Sequence, residues 1–245
     1  MTLVENFHAA LASSADELPG AELLPERLAH ACARVLPVDG AGISLFFLSD
    51  RRLPLGASDP MSGEAERLQF TVGDGPCLTA HAAGEPVLAD EGTIRSRWPG
   101  FYDALVTRTS IRGTISLPLR GQLRGIGALD LYVIPPLEVG SVSLQDALII
   151  SGEVVAVLQE QSQQMRDRRA GGPAWLDAPA AERRSMVWQA IGFVNAALEM
   201  SSPDALALLR AHAYAEGSTL DELAARVLSR DVPIDELSLD FDSPR

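Results

Sequence analysis

Apolar residues at the start of the chain recur at helical spacing: Phe7, Leu11 and Leu18, then Leu24, Leu28, Cys32 and Val35. This predicts two amphipathic helices, separated at Pro19-Gly20 and closed by Pro37. The pattern then changes. Gly42 to Leu48 is a short apolar run bounded by turn residues, as in a buried strand, and Arg52–Ala57 is placed to return as its hairpin partner. Gln69–Val72 reads as a brief extended piece before the turn cluster Gly73-Asp74-Gly75-Pro76, and Cys77–Ala83 as a short helix capped by Gly84. Pro86–Leu88 is extended again, and Ile94–Ala104 is an aromatic-rich loop leading into a helix.

The clearest strands are Thr114–Leu119 and Gly125–Val133, joined by a turn that contains Gly121 and stopped by Pro135-Pro136. The second strand alternates Ala128, Asp130 and Tyr132 with Leu129, Leu131 and Val133. From Leu144 to about Arg169 the period is helical once more. Leu144, Leu148, Ser151, Val155, Leu158, Ser162 and Met165 step by fours and threes, a heptad seam weakened by two serines. Its first half is placed to pack on the sheet and its second half to project. The helix is either a core helix or a parallel dimer helix.

Gly171-Gly172-Pro173 and Pro179 mark a linker. A helical segment follows. Its first helix spans Ala181–Leu198, its second is capped at Ser202 with Pro203 behind it, and its third opens on a capping box of Thr219 and Glu222. So short a segment buries little area alone, and it is expected to lean on the long helix or on a second copy of the chain. The acidic tail from Asp231 to Arg245 is expected to fray. The expected domains are therefore 1–169, a linker at 170–180, a three-helix unit at 181–230, and the tail at 231–245.

Composition narrows the function. The chain has 245 residues and a formal net charge of −13, with Arg supplying every basic side chain. Bulk charge therefore excludes a protein that coats nucleic acid or anionic membrane, though not one local basic patch. Two cysteines, Cys32 and Cys77, form no framework and suggest a reducing compartment. The N-terminus lacks the pattern of a leader, and the longest apolar run, near Ala147–Leu158, is too short for a membrane span. A cytoplasmic location with no membrane partner is expected.

Catalytic signatures are absent: there is no nucleophile elbow, P-loop or zinc-protease motif. His8, His30, His81 and His212 lie in unrelated segments, and His30 and Cys32 point to different faces of one helix. No catalytic site, metal or cofactor is expected, and the chain is read as a non-enzyme. Cys77, after a turn at a helix start, is either a reactive thiol or a buried small hydrophobe. Trp98, Phe101 and Tyr102 either line a ligand pocket with Cys77 or fill a core.

These residues also carry a resemblance. Leu68-Gln69 to Gly73-Asp74-Gly75-Pro76-Cys77, then Gly84-Glu85-Pro86-Val87, Arg97-Trp98-Pro99-Gly100-Phe101, Ser116-Leu117-Pro118-Leu119 and Gly127-Ala128-Leu129-Asp130-Leu131-Tyr132 resemble, in order and spacing, the GAF domain of actinobacterial GAF–ANTAR regulators. The resemblance covers roughly residues 20–160. It implies an α+β fold with a central antiparallel sheet flanked by helices and a small-molecule or signal-sensing pocket on one face.

The C-terminal segment resembles the ANTAR domain, a three-helix RNA-binding module of transcription antiterminators. The matching residues are Gln189-Ala190 with Gly192, Ser202-Pro203-Asp204-Ala205 leading to Leu208-Leu209-Arg210, and Leu220 with Leu223-Ala224. A basic residue is usual between the Ala and Gly, and here Ile191 stands in its place. Between residues 180 and 230 the chain has five Arg against six acids. Arg183, Arg184, Gln189 and Arg210 are the candidates for an RNA-contacting patch, with Trp188 to stack a loop base and Ala190 and Gly192 from the motif. The resemblance implies a cytoplasmic, signal-responsive antitermination regulator, a homodimer, that binds paired hairpins in nascent RNA. The alternative is a dimeric protein-interaction module whose ANTAR-like segment has lost RNA binding.

Overall fold

The computed structural model describes residues 1–48, 51–167, 174 and 178–237. Helices α1 (Leu3–Glu17) and α2 (Leu24–Val35) precede strands β1 (Gly40–Leu48) and β2 (Arg51–Ala57). Helices α3 (Pro60–Val72) and α4 (Pro76–Ala83), strand β3 (Val87–Ala89), and helices α5 (Glu91–Arg97) and α6 (Pro99–Arg108) follow. Strands β4 (Gly113–Pro118) and β5 (Gly127–Val133) then lead to the long helix α7 (Leu144–Asp167). The C-terminal helices are α8 (Pro179–Leu198), α9 (Ser202–Ala215), α10 (Leu220–Leu228) and the single turn α11 (Ile234–Leu237).

The fold is α+β. Its five strands form one antiparallel sheet in the order β2-β1-β5-β4-β3. The period-two pattern of β5 is used on both faces, and all seven of its residues are buried. Leu129, Leu131 and Val133 enter the main core with Ile43, Leu45, Ile115 and Leu117. That core is closed by Phe7, by Leu28 and Cys32 of α2, and by Ala147, Ile150, Val154 and Leu158 of α7. A Cβ on Gly56 would strike the backbone of Pro25 and Glu26, so the glycine lets α2 lie directly on β2. The long helix thus packs its first half on the sheet, as its periodicity predicts. Met165, the last residue of the heptad seam, has its side chain outside the described residues, as do the linker glycines at 171 and 172.

The opposite face carries α3 to α6. Gln69–Val72, read from sequence as extended, is the last turn of α3. Local capping decides this: the Asp59 carboxylate accepts from the Met61 and Ser62 N–H groups at 2.9 Å, and Gly73 ends the helix at φ 77°. Ile94–Ala104, expected as a loop leading into a helix, is instead two short helices meeting at Trp98.

The three-helix unit folds around Val187, Ala190, Ile191, Val194, Leu209, Leu220, Leu223 and Val227. The capping box at Thr219 and Glu222 is present, whereas α9 is capped one residue earlier than expected, by Ser201. Within the chain the unit finds its support on α3 and β2 and not on the long helix. The tail is also more ordered than expected as far as residue 237, because Val232 and Leu237 are buried in the same core and His212 Nε2 lies 2.9 Å from the Leu237 carbonyl oxygen. Residues 238–245 lie outside the described residues. Among the described residues, no helix is long and apolar enough to cross a membrane.

Leu129 sits at the middle of the main core. Leu129→Ala is expected to lower the unfolding free energy by about 2–5 kcal/mol in urea titrations; a loss under about 1 kcal/mol would show that this part of the core collapses around the cavity.

Candidate functional site: a buried charged cluster under helix α3

The face of the sheet beneath α3 is polar where the other face is apolar. Arg52 projects from β2, Ser44 from β1, Ser116 from β4, and Asp130 and Tyr132 from β5, with Glu66 lowered onto them from α3. A Cβ on Gly42 would collide with the Glu66 side chain, so this glycine makes room for the carboxylate. Arg52 pairs with Glu66, donates to the Glu66 carbonyl oxygen at 2.7 Å, and reaches Asp130 Oδ2 at 3.4 Å. Ser44 and Tyr132 donate to the two oxygens of Glu66, and Ser116 donates to Asp130. None of these side chains is more than 2 % exposed.

One guanidinium faces two carboxylates here. Burial, followed by the neighbouring Glu66 charge, pushes Asp130 up to about 8, while Arg52 opposes the shift. Burial and then Glu66 likewise push the Tyr132 phenol up. The arrangement is a polar core sealed from water.

The Cys77 N–H is held by Gln69 Oε1 at 2.9 Å, and its Sγ lies 3.5 Å from Arg52. The side chain is fully buried, and that burial pushes its thiol well above the ordinary range in spite of Arg52. Of the two readings of Cys77, the structure places it as a buried hydrophobe, packed with Phe46 and Ala128. The Phe46 ring stacks on His81 at 3.8 Å between centroids.

Trp98 and Phe101 fill a second core with Ile94, Leu105 and Ile111. The Trp98 indole N–H donates to Thr79 at 3.2 Å. Tyr102 is half-buried and donates to Glu91 at 2.8 Å. These aromatics thus pack a core beside the cluster; they do not converge with Cys77 on one open cavity. Arg52, Glu66, Asp130, Ser44, Ser116 and Tyr132 were missed as a group in the sequence. The available signal was Asp130, a charge in the middle of one of the two clearest strands of the sequence.

The other candidate residues lie on the three-helix unit, and Phe70 of α3 reaches into its core. The Phe70 ring centre lies 3.6 Å from the Arg184 guanidinium carbon and 4.9 Å from that of Arg210, with Trp188 edge-on at 5.9 Å. Desolvated contacts of a cation with a ring contribute about 2 kcal/mol. Arg210 Nε donates to the Phe70 carbonyl oxygen at 3.1 Å. Arg184 is fully buried, 3.4 Å from Asp221, and burial lowers its guanidinium to about 10 against the pull of that aspartate.

Of the residues chosen for an RNA patch, Arg183, Gln189 and Gly192 are exposed, Trp188 and Arg210 are half-buried, and Arg184 and Ala190 are buried. The structure therefore does not bring all seven onto one surface: Arg184 and Ala190 are drawn inward because Phe70 of α3 and the unit's own core occupy that face. Ile191, in the place of the usual basic residue, is a core residue.

No known family model matches the chain, and no curated protein matches it. Solved structures do. The GAF domain of a phosphoenolpyruvate-protein phosphotransferase from Acinetobacter is 12 % identical, with a TM-score of 0.46 over 68 % of this chain and 99 % of that one. The GAF domain of the corresponding protein from Coxiella burnetii is 12 % identical, with a TM-score of 0.44 over 66 % of this chain and 98 % of that one. A domain of a two-component sensor histidine kinase protein, described as putative, from Sinorhizobium meliloti 1021 is 19 % identical, with a TM-score of 0.41 over 70 % of this chain and 99 % of that one.

The raised Asp130 sets a pH dependence. An acid whose value is higher in the folded state stabilises the fold when protonated, so this contribution is full below about pH 4 and declines as pH rises to about 8. Glu26, raised to about 7 by burial, acts with the same sign. Asp130→Asn keeps an acceptor for Ser116 and cannot ionise. Urea midpoints from pH 5 to 9 are expected to fall less steeply for the variant than for the natural chain; an equal decline would show that Asp130 is not the titrating group.

Proposed function

We propose that the chain is a signal-responsive transcription antitermination regulator. Residues 1–169 form a GAF-like sensor unit, and residues 181–230 form an ANTAR-like unit that binds hairpin RNA in a nascent transcript. The observation that carries this reading is the agreement of motif order with fold. The GAF-like motifs fall on the five-stranded antiparallel sheet and on the helices α3 to α6 that cover one of its faces, and the ANTAR-like run from Gln189 to Ala224 folds into an appended three-helix unit. The protein works in the cytoplasm without catalytic chemistry, as a homodimer, with a small molecule as the signal at the sensor unit. Two linked RNA modules gain avidity through effective concentration, and a signal acts through its different affinity for two arrangements of the chain.

The second reading is a protein-interaction module with a degenerate ANTAR-like unit. The burial of Arg184, which removes a positive charge from the surface of α8, favours it, as does the apolar Ile191 where a basic residue is usual.

RNA binding that depends on phosphate contacts loses affinity linearly in log salt, with a slope near 0.7–0.9 per contact. Fluorescence anisotropy with structured hairpin RNAs at several salt concentrations is expected to show that slope. Arg183→Ala is expected to reduce it by about 1, and Gln189→Ala to weaken binding without changing it. Binding indifferent to salt and to both substitutions overturns the antitermination reading.

A further inference from the structure

The residues that best suit RNA on the C-terminal unit are the ones that hold Phe70. Arg184, Trp188 and Arg210 surround its ring, and Arg184 is fully buried against it. A phosphate cannot reach Arg184 while Phe70 is seated.

The Arg184 contact is also poorly satisfied. Its three guanidinium nitrogens have no hydrogen-bond partner among the described residues, nor does Asp221 Oδ2. A buried guanidinium is normally saturated with acceptors. Here it is held by a ring and by a carboxylate 3.4 Å away, having given up hydrogen bonds that release to solvent or phosphate would restore.

The seat of Phe70 is bound to the sensor cluster by one short piece of helix. Glu66, which anchors α3 on Arg52 and Tyr132, lies one turn before Phe70. Gln69 holds the start of α4, and the Thr71 hydroxyl accepts from the Leu220 N–H at 2.8 Å, at the start of α10. At the rim, Arg108 of α6 grips Glu222 at 2.9 and 3.1 Å and the Gly217 carbonyl oxygen at 2.9 Å. Between these points the interface is open: a cavity of about 240 Å³ lies among Leu68, Val72, Asp103, Arg108 and Tyr214. Docking thus rests on the seat of Phe70 in the core of the three-helix unit and on a few separable polar contacts around it.

We propose that helix α3 is an autoinhibitory latch: seated, Phe70 masks Arg184, Trp188 and Arg210 from RNA, and RNA binding requires the three-helix unit to leave α3. The proposal rests on the RNA reading above and adds its regulation. Apparent affinity then scales with the released fraction of the molecule.

The test uses the full chain with Phe70→Ala, and with Arg108→Ala as a surface variant that spares the core. Two readouts are taken: hydrogen exchange of the α8 amides around Arg184, which reports release without RNA, and anisotropy with a structured hairpin RNA. Both variants are expected to speed exchange on α8 and to bind at least about tenfold more tightly than the natural chain, Phe70→Ala more than Arg108→Ala. Adding Arg184→Ala to Phe70→Ala is expected to abolish the gain. Faster exchange with RNA affinity equal to that of the natural chain overturns the latch and leaves the RNA reading standing. Faster exchange with no RNA bound by any form at low salt overturns the RNA reading, and the masking role falls with it. Unchanged exchange in both variants overturns the latch directly.

Discussion

Arg52 reaches from the edge strand β2 to Glu66 on α3 and Asp130 on the central strand β5, with at most 2 % of any of the three side chains exposed. Removing such charges from water costs several kcal/mol per ion, and their attraction offsets this only when the geometry is fixed and the remaining polar atoms are bonded. Ser44, Ser116 and Tyr132 supply those bonds to the carboxylates. The cluster therefore determines where α3 lies across the sheet. An apolar face would tolerate a helix sliding by part of a turn; a carboxylate bonded to three separate elements does not.

That constraint reaches the C-terminal unit through the same helix. One turn of α-helix is about 5.4 Å, and Phe70 follows Glu66 by one turn. Whatever fixes Glu66 fixes the ring that Arg184 and Arg210 clasp. The cluster is also the place in this path where protonation counts. Burial, and then the Glu66 charge, push Asp130 up to about 8. A ligand, ion or conformational change that altered the balance between Arg52 and the two acids would act directly on the anchor of α3.

Local signals made much of the fold legible. The β5 alternation, the Thr219–Glu222 capping box and the break at Pro19-Gly20 each act over a few residues, and each is found where the pattern places it. The failures have a common cause. Gln69–Val72 reads as extended alone but is held helical by Asp59 ten residues earlier and by the contacts of Phe70 and Thr71 with a unit more than a hundred residues away. The polar cluster was illegible for the same reason: Arg52, Glu66 and Asp130 come from three elements that only the sheet order brings together. Asp130 alone carried a warning, since an unpaired carboxylate is not tolerated in a strand buried on both faces. Arg184 shows the limit from the other side. Its pairing with Arg183 looks like a basic patch, yet helical geometry turns one outward and the other into the interface.

Charge bears on the proposed release of the three-helix unit from α3. The three-helix segment has five Arg and six acids, so its attraction for a polyanion depends on which arginines face outward. In the docked arrangement Arg184 is buried against Asp221, Arg210 is bonded to the Phe70 carbonyl oxygen, and Arg226 is paired with Glu216. The docked unit thus has an acidic balance at its surface, on a chain whose net charge is already −13. Withdrawing α3 would expose Arg184 and Arg210 together with Trp188, placing two positive charges and a stacking ring on one face. In a unit so poor in basic residues, Arg184 stays buried as long as the Phe70 ring is packed against it.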